Sequence, residues 1–290
     1  LTEQSSPSGL LTKLFSWLDT NILSLGREMR LSYLPPLMVY VAAGISGLTG
    51  IVGTFYVKEK LGLTPEFLAM LGFWMMLPWA LKMPLGHLVD LIWRWKSVLV
   101  YLGASLIMLS LLIMIGLLGH TEAMAARAPV ETWYILSAML APVGYVLQDV
   151  VADAMTVEAV PRVDENGEKF HAEKRKLMHV TMQTLGRVAI IGGGLLVSVA
   201  NVFLLRDANT LSENEKEAVY LLIYQLALII PLISIMGIML ASWLHYRERN
   251  RLLCLGHSRQ EIVALLDSHT ETPSINWWIL GGGLAFTAMS

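Results

Sequence analysis

A lysine stands between two prolines in Pro78-Trp79-Ala80-Leu81-Lys82-Met83-Pro84, inside a run otherwise apolar enough to bury. A cation at mid-bilayer depth costs about 2.5–3.5 kcal/mol on insertion scales, so it needs a carboxylate or a water-filled cavity. Two carboxylates occur in Gln148-Asp149-Val150-Val151-Ala152-Asp153, again within an apolar run. At i,i+4 spacing Asp149 and Asp153 share one helix face. Like charges that close favour the binding of one proton, which suits a group that loads and unloads during transport. A second cation, Arg187, continues the i,i+4 series of His179 and Gln183, a polar stripe on one face. Lys82 and Arg187 thus balance Asp149 and Asp153, two cations against two anions. Each has a plainer reading. Lys82 and Asp149 can be a static ion pair that fixes helix register, His179 a near-surface polar residue, and Trp74 and Trp79 lipid-facing or core rings.

The elements that must position these residues are membrane spans. The chain has 290 residues, 55% hydrophobic and 15% charged, where soluble domains average roughly 25% charged. Its mean hydropathy is +0.57. A net charge of −2 leaves no basic excess for nucleic acid, and a single cysteine, Cys254, excludes an internal disulfide. A helical span needs about 20 apolar residues, and six are expected: 34–56, 65–92, 97–118, 132–160, 177–205 and 219–245. Residues 1–33 read as an amphipathic helix on the membrane surface, without the cleavage pattern of a secretory signal. In the first span Gly44, Gly47, Gly50 and Gly53 form a small face for close helix contact or a place to bend. Pro78 and Pro84 permit a kink around Lys82.

Charge sets the orientation, because Lys and Arg favour the cytoplasmic side. With the N-terminus inside, inner segments carry fourteen Lys and Arg and outer loops five; Lys82 and Arg187 lie within spans. Trp93, Trp95, Trp133, Trp243, Trp277 and Trp278 fall at span ends, where an indole ring prefers to sit. The expectation is a polytopic protein of the inner (plasma) membrane with a cytoplasmic N-terminus. Residues 246–275 read as a cytoplasmic central loop holding a short helix over Arg259 to Asp267, and 276–290 as the truncated start of a seventh span. Six helices, a basic loop and a seventh helix match one half of a 6+6 transporter. The fold class expected is therefore all-α: the N-terminal six-helix bundle of a 12-helix carrier plus the start of helix 7, a fragment of a longer chain.

Gly86-His87-Leu88-Val89-Asp90, followed by Arg94 and Lys96, resembles the G-x-L-x-D signature between the second and third helices of the major facilitator superfamily. Leu91 stands where that pattern has a basic residue, and Trp93 where it has glycine. Tyr56-Val57-Lys58-Glu59-Lys60-Leu61-Gly62-Leu63-Thr64-Pro65, then Pro78-Trp79, Lys82 and Pro84, resemble the folate-biopterin transporter family. Gln148 to Met155, leading to Glu158 and Arg162, is similar to that family's fourth helix. The muropeptide permease family shares the in-helix lysine and paired aspartates. The resemblance covers roughly residues 50–195. It implies a proton-coupled carrier that alternates between inward- and outward-facing states, taking pterins or folates, or anhydromuropeptides in the competing family.

On that reading Lys82, Asp149, Asp153, Arg187, Gln183 and Trp79 are the substrate and proton candidates. A pterin's amino-pyrimidinone edge presents adjacent donors that Asp149 can accept as a pair. Trp79 would stack on its ring, and Lys82 or Arg187 would receive an anionic tail. Gly86, Asp90, Arg94, Lys96, Glu158 and Arg162 form the cytoplasmic gate, with Asp90 ending the second helix and joining Arg94 and Lys96 in an ion-pair cluster. Expected partners are a small solute, protons and the bilayer, with no metal or cofactor. A membrane-embedded enzyme and a transporter-like scaffold are the readings from other classes. Against an enzyme, the sequence holds no HExxH, Gly-x-Ser-x-Gly or P-loop pattern.

Overall fold

The computed structural model describes residues 26, 29–56, 63–164, 167–206, 210–266 and 275–289. Among them every regular element is a helix, and the only bridge is an isolated one between Val163 and Lys169. Six helical stretches are long and apolar enough to cross a membrane. The amphipathic segment expected over 1–33 lies outside the described residues as far as residue 28, Gly26 excepted. Residues 57–62 of the family-like loop lie outside them too.

The first span opens with a 3-10 turn, Leu31–Tyr33, and enters α1, Leu34–Gly44. Pro35 and Pro36 sit in its first turn, where a missing N–H costs nothing. The glycine-rich stretch then tightens into a 3-10 segment, Ile45–Thr49, before α2, Gly50–Tyr56. The second span is α3, Pro65–Ala80, joined through Leu81 to α4, Lys82–Leu91. The Thr64 side chain caps its start by accepting from the Phe67 N–H at 3.3 Å. Next come α5, Lys96–Gly119, the short α6, Thr121–Ala125, and α7, Val130–Ala159. The fifth span is α8, Ala172–Leu204, and the sixth is α9, Glu213–Ala227, continued by α10, Ile229–Cys254. A capping box between Ser212 and Glu215 starts α9.

The fifth and sixth spans run past their expected limits because apolarity marks only the membrane-immersed part. Polar residues such as Glu173 to Lys176 and Arg247 to Arg251 continue the same helices. An Arg251–Glu248 pair at 2.6 Å supports the last turns of α10.

α7 is the central helix. Half of its most apolar 18-residue stretch is buried, against 11% for α3–α4 and 17% for α8. It packs on α5, α1, α3 and α4, while α1 also meets α8 and α10. Close approach rests on glycine pairs, since helix association in lipid depends on packing more than on hydrophobic force. A Cβ on Gly103 would lie 2.7 Å from the Gly144 carbonyl oxygen, and one on Gly44 2.4 Å from the Ile190 carbonyl oxygen. The same α5–α7 contact holds reciprocal bonds in which each of Ser110 and Ser137 donates to the other's carbonyl, at 2.8 and 2.9 Å. α8 turns Ile191, Leu195, Val202 and Phe203 outward, as a lipid-facing helix does.

Two further helices follow among the described residues. α11, Arg259–Leu266, agrees with the expected linker helix; Asp267 lies outside the described residues. Ile262 on it packs with Leu252 of α10 and Val163 of the α7–α8 connection. The Ser258 backbone N–H and hydroxyl hold the Glu261 carboxyl below the usual carboxylate range, capping α11. α12, Trp277–Met289, lies antiparallel along α4. The Asn276 N–H donates to His87 Nε2 at 2.9 Å, and Gly283 lets α12 close on Pro84. Pro84 has no N–H, so the Ala80 carbonyl four residues earlier loses its helical donor. The Thr287 hydroxyl of α12 donates to that oxygen at 3.2 Å.

Candidate functional site

Lys82 is the first residue after the break between α3 and α4, where Leu81 has ψ 0 rather than a helical value. The kink follows from the prolines on either side, and it turns the ammonium toward α7 instead of along the helix. There Lys82 Nζ lies 2.5 Å from Asp149 Oδ2 and 2.9 Å from Asp153 Oδ2. The i,i+4 spacing therefore does what it promised, placing both carboxylates before one cation. The two differ in setting. The Asp149 side chain is 9% exposed, whereas Asp153 is 49% and Lys82 38% exposed.

The expected balance of two cations and two anions is not the one formed. Lys82 takes both aspartates, and among the described residues Arg187 makes no ion pair. Arg187 and Gln183 are exposed on α8, with Arg187 close enough for its charge to be felt at the hydroxyl of Tyr40. The triad thus carries two negative charges and one positive. Asp149 is also too covered to receive the edge of a flat solute while Lys82 holds it; Asp153 is the carboxylate that opens outward. Trp79, in the last turn of α3, is partly exposed beside the break, as is Trp74.

Tyr40 is the member that sequence reasoning missed. It lies on α1, is 7% exposed, and donates its hydroxyl to Asp153 Oδ1 at 2.5 Å. Its ring rests on Gly186 of α8, where a Cβ would come within 2.7 Å of Cε2. The available signal was weak: a lone tyrosine in Leu37-Met38-Val39-Tyr40-Val41, placed mid-span where a phenol needs a partner. Next to Asp149, the Gln148 carbonyl accepts from Ser234 of α10 at 2.9 Å, while among the described residues its amide nitrogen has no partner.

The gate candidates gather at the C-terminal end of α4, but in a different pairing. Lys96 bonds to Glu158 on α7 and lies 4.1 Å from the Trp93 ring centroid. Trp93 Nε1 donates to the other oxygen of Glu158 at 2.8 Å. Among the described residues Asp90 makes no ion pair; the side chain of Arg94 lies outside them. The lysine's reach decides this: α5 begins at Lys96 beside the last turns of α7. Gly86 faces Val150 at ordinary contact distance. Arg162 lies beyond the end of α7, and its carbonyl accepts from the Phe170 N–H at 3.0 Å.

A cavity of about 380 Å³ occupies the opposite end of the bundle, lined by Tyr56, Thr121, Val130, Glu131 and Glu217, and does not include Lys82. What the triad can do chemically is narrow and definite. It can bind a proton, exchange one carboxylate for another on the same ammonium, and offer a half-exposed charged group to a solute. Compared with family models, curated proteins and solved structures, the chain finds no match.

Proposed function

We propose that the chain is the transmembrane bundle of a secondary carrier that moves a small organic solute by alternating access, coupled to proton uptake. The observation that carries this reading is the Lys82 triad: one ammonium, at a helix break within a span, holding two carboxylates of a neighbouring helix. A purely structural ion pair needs one carboxylate. The second leaves surplus negative charge in a region where charge is costly, and a proton is the simplest way to neutralise it.

The solute class proposed is a pterin or folate. Asp153 offers the half-exposed acceptor for paired ring donors, Trp79 offers a stacking face, and Arg187 with Gln183 offers donors to an anionic tail. On this reading the N-terminus is cytoplasmic, and Lys96, Glu158 and Trp93 belong to the inner gate together with Asp90, Arg94, Arg162 and Gly86. The protein is then a carrier and not an enzyme.

Uptake into proteoliposomes under an imposed pH gradient tests this, with labelled pterin, folate and anhydromuropeptide run in parallel. Gradient-dependent accumulation of the pterin or folate supports the proposal, and Asp149→Asn should abolish the gradient dependence. Accumulation of the muropeptide alone would reassign the solute. Equal flux in Asp149→Asn would remove the proton role.

A further inference from the structure

Within that reading, on which this inference rests, the two aspartates are not equivalent. Four features of the structure separate them. Among the described residues, nearly covered Asp149 has one donor, Lys82 at 2.5 Å, and half-exposed Asp153 has two, Lys82 at 2.9 Å and the Tyr40 hydroxyl at 2.5 Å. Lys82 uses Oδ2 of Asp149, and no hydrogen bond among the described residues engages Oδ1. Lys82 follows a proline-flanked break, and its ammonium is within reach of either carboxylate. Tyr40 is wedged on Gly186.

We propose that Asp149 is the proton-carrying group, and that Tyr40 is the positioning residue that keeps Asp153 charged and paired with Lys82.

The charges around the pair agree. α4 brings Lys82, α1 brings Tyr40, and α8 brings Arg187, whose charge reaches Tyr40, with His179 farther along the same helix. α3 carries one acid, Glu66, in its first turn and far from the break. α5 faces this level of α7 with Gly103, and its basic residue Lys96 is occupied by Glu158. When Lys82 swings toward Asp153, Asp149 loses the one donor it has among the described residues, inside a nearly covered site, and a bare carboxylate there is strongly disfavoured. Asp153 in the same event keeps the phenol and contact with water. The step balances simply. A proton from the aqueous phase adds to Asp149 Oδ1, Lys82 stays an ammonium paired with Asp153, and the triad passes from one negative charge to none.

Infrared difference spectroscopy on the reconstituted full chain, titrated from neutral to acid pH, reads this without any solute. The parent protein should show one buried carboxylic-acid band that forms on acidification. Asp149→Asn should lose it, Asp149→Glu should move it to the frequency of a glutamic acid, and Asp153→Asn should keep it. Tyr40→Phe, which conserves the ring, should add a second band from Asp153 and roughly double the absorbance, because hydrogen bonding to the charged form no longer favours it. A band that survives Asp149→Asn and vanishes in Asp153→Asn overturns the assignment. A Tyr40→Phe spectrum identical to the parent overturns the positioning role. Failure of uptake with these bands intact would count against the carrier reading alone.

Discussion

Replacing Lys82 by alanine isolates the energetics of the triad. Removing one partner of a buried ion pair costs about 3–5 kcal/mol, because the remaining charge is left uncompensated. The full figure does not apply here. Lys82 is 38% exposed and Asp153 49%, so water can serve Asp153, and only Asp149, at 9%, is truly stranded. The expected loss is therefore about 2–3 kcal/mol. For a chain of this size that corresponds to a melting temperature lower by roughly 3–5 °C. The intrinsic fluorescence of the tryptophans, Trp79 being three residues from the mutation, reports unfolding in detergent. The double variant Lys82→Ala/Asp149→Asn removes the stranded charge with its partner and should recover at least about half of the loss, as coupled neighbours do. Lys82→Ala/Asp153→Asn should recover little, since Asp153 keeps Tyr40 and water. If the Asp149 double variant melts no higher than Lys82→Ala alone, the pairing and the burial argument are both wrong.

Two further outcomes follow from the helix contacts. Thr287→Val leaves the Ala80 carbonyl without its donor at the Pro84 break. A lost hydrogen bond of about 1 kcal/mol should speed hydrogen exchange of amides that open with α12 about fivefold; unchanged exchange would mean that α12 does not hold the break. Gly44→Ala puts a Cβ 2.4 Å from the Ile190 carbonyl oxygen, an overpacking expected to cost about 1–3 kcal/mol. Gly192→Ala, next to the same interface but facing open space, should melt like the parent, so equal effects of the two would refute the close α1–α8 contact.

The spans were legible because the bilayer imposes one period and one length on any helix that crosses it. Hydropathy located all six, the prolines located the break before Lys82, and the i,i+4 spacing put Asp149 and Asp153 on one face. The polar extensions of α8 and α10 were not legible, since hydropathy ends where the lipid ends while the helix does not. Sequence also fixed which residues could pair by charge, but pairing is a matter of reach. It took the packing of α4 on α7 to give Lys82 both aspartates and leave Arg187 exposed, and the start of α5 beside α7 to give Lys96 to Glu158 rather than Asp90. Tyr40 shows the same limit most clearly. A phenol in an apolar span announces only that it needs a partner, and the partner lies 113 residues away, brought there by the α1–α7 contact. By itself the sequence determined a helical membrane bundle with charges that must be compensated. Which charge meets which, and how much water each keeps, was decided by the helix packing, because distance and desolvation exist only once the helices are side by side.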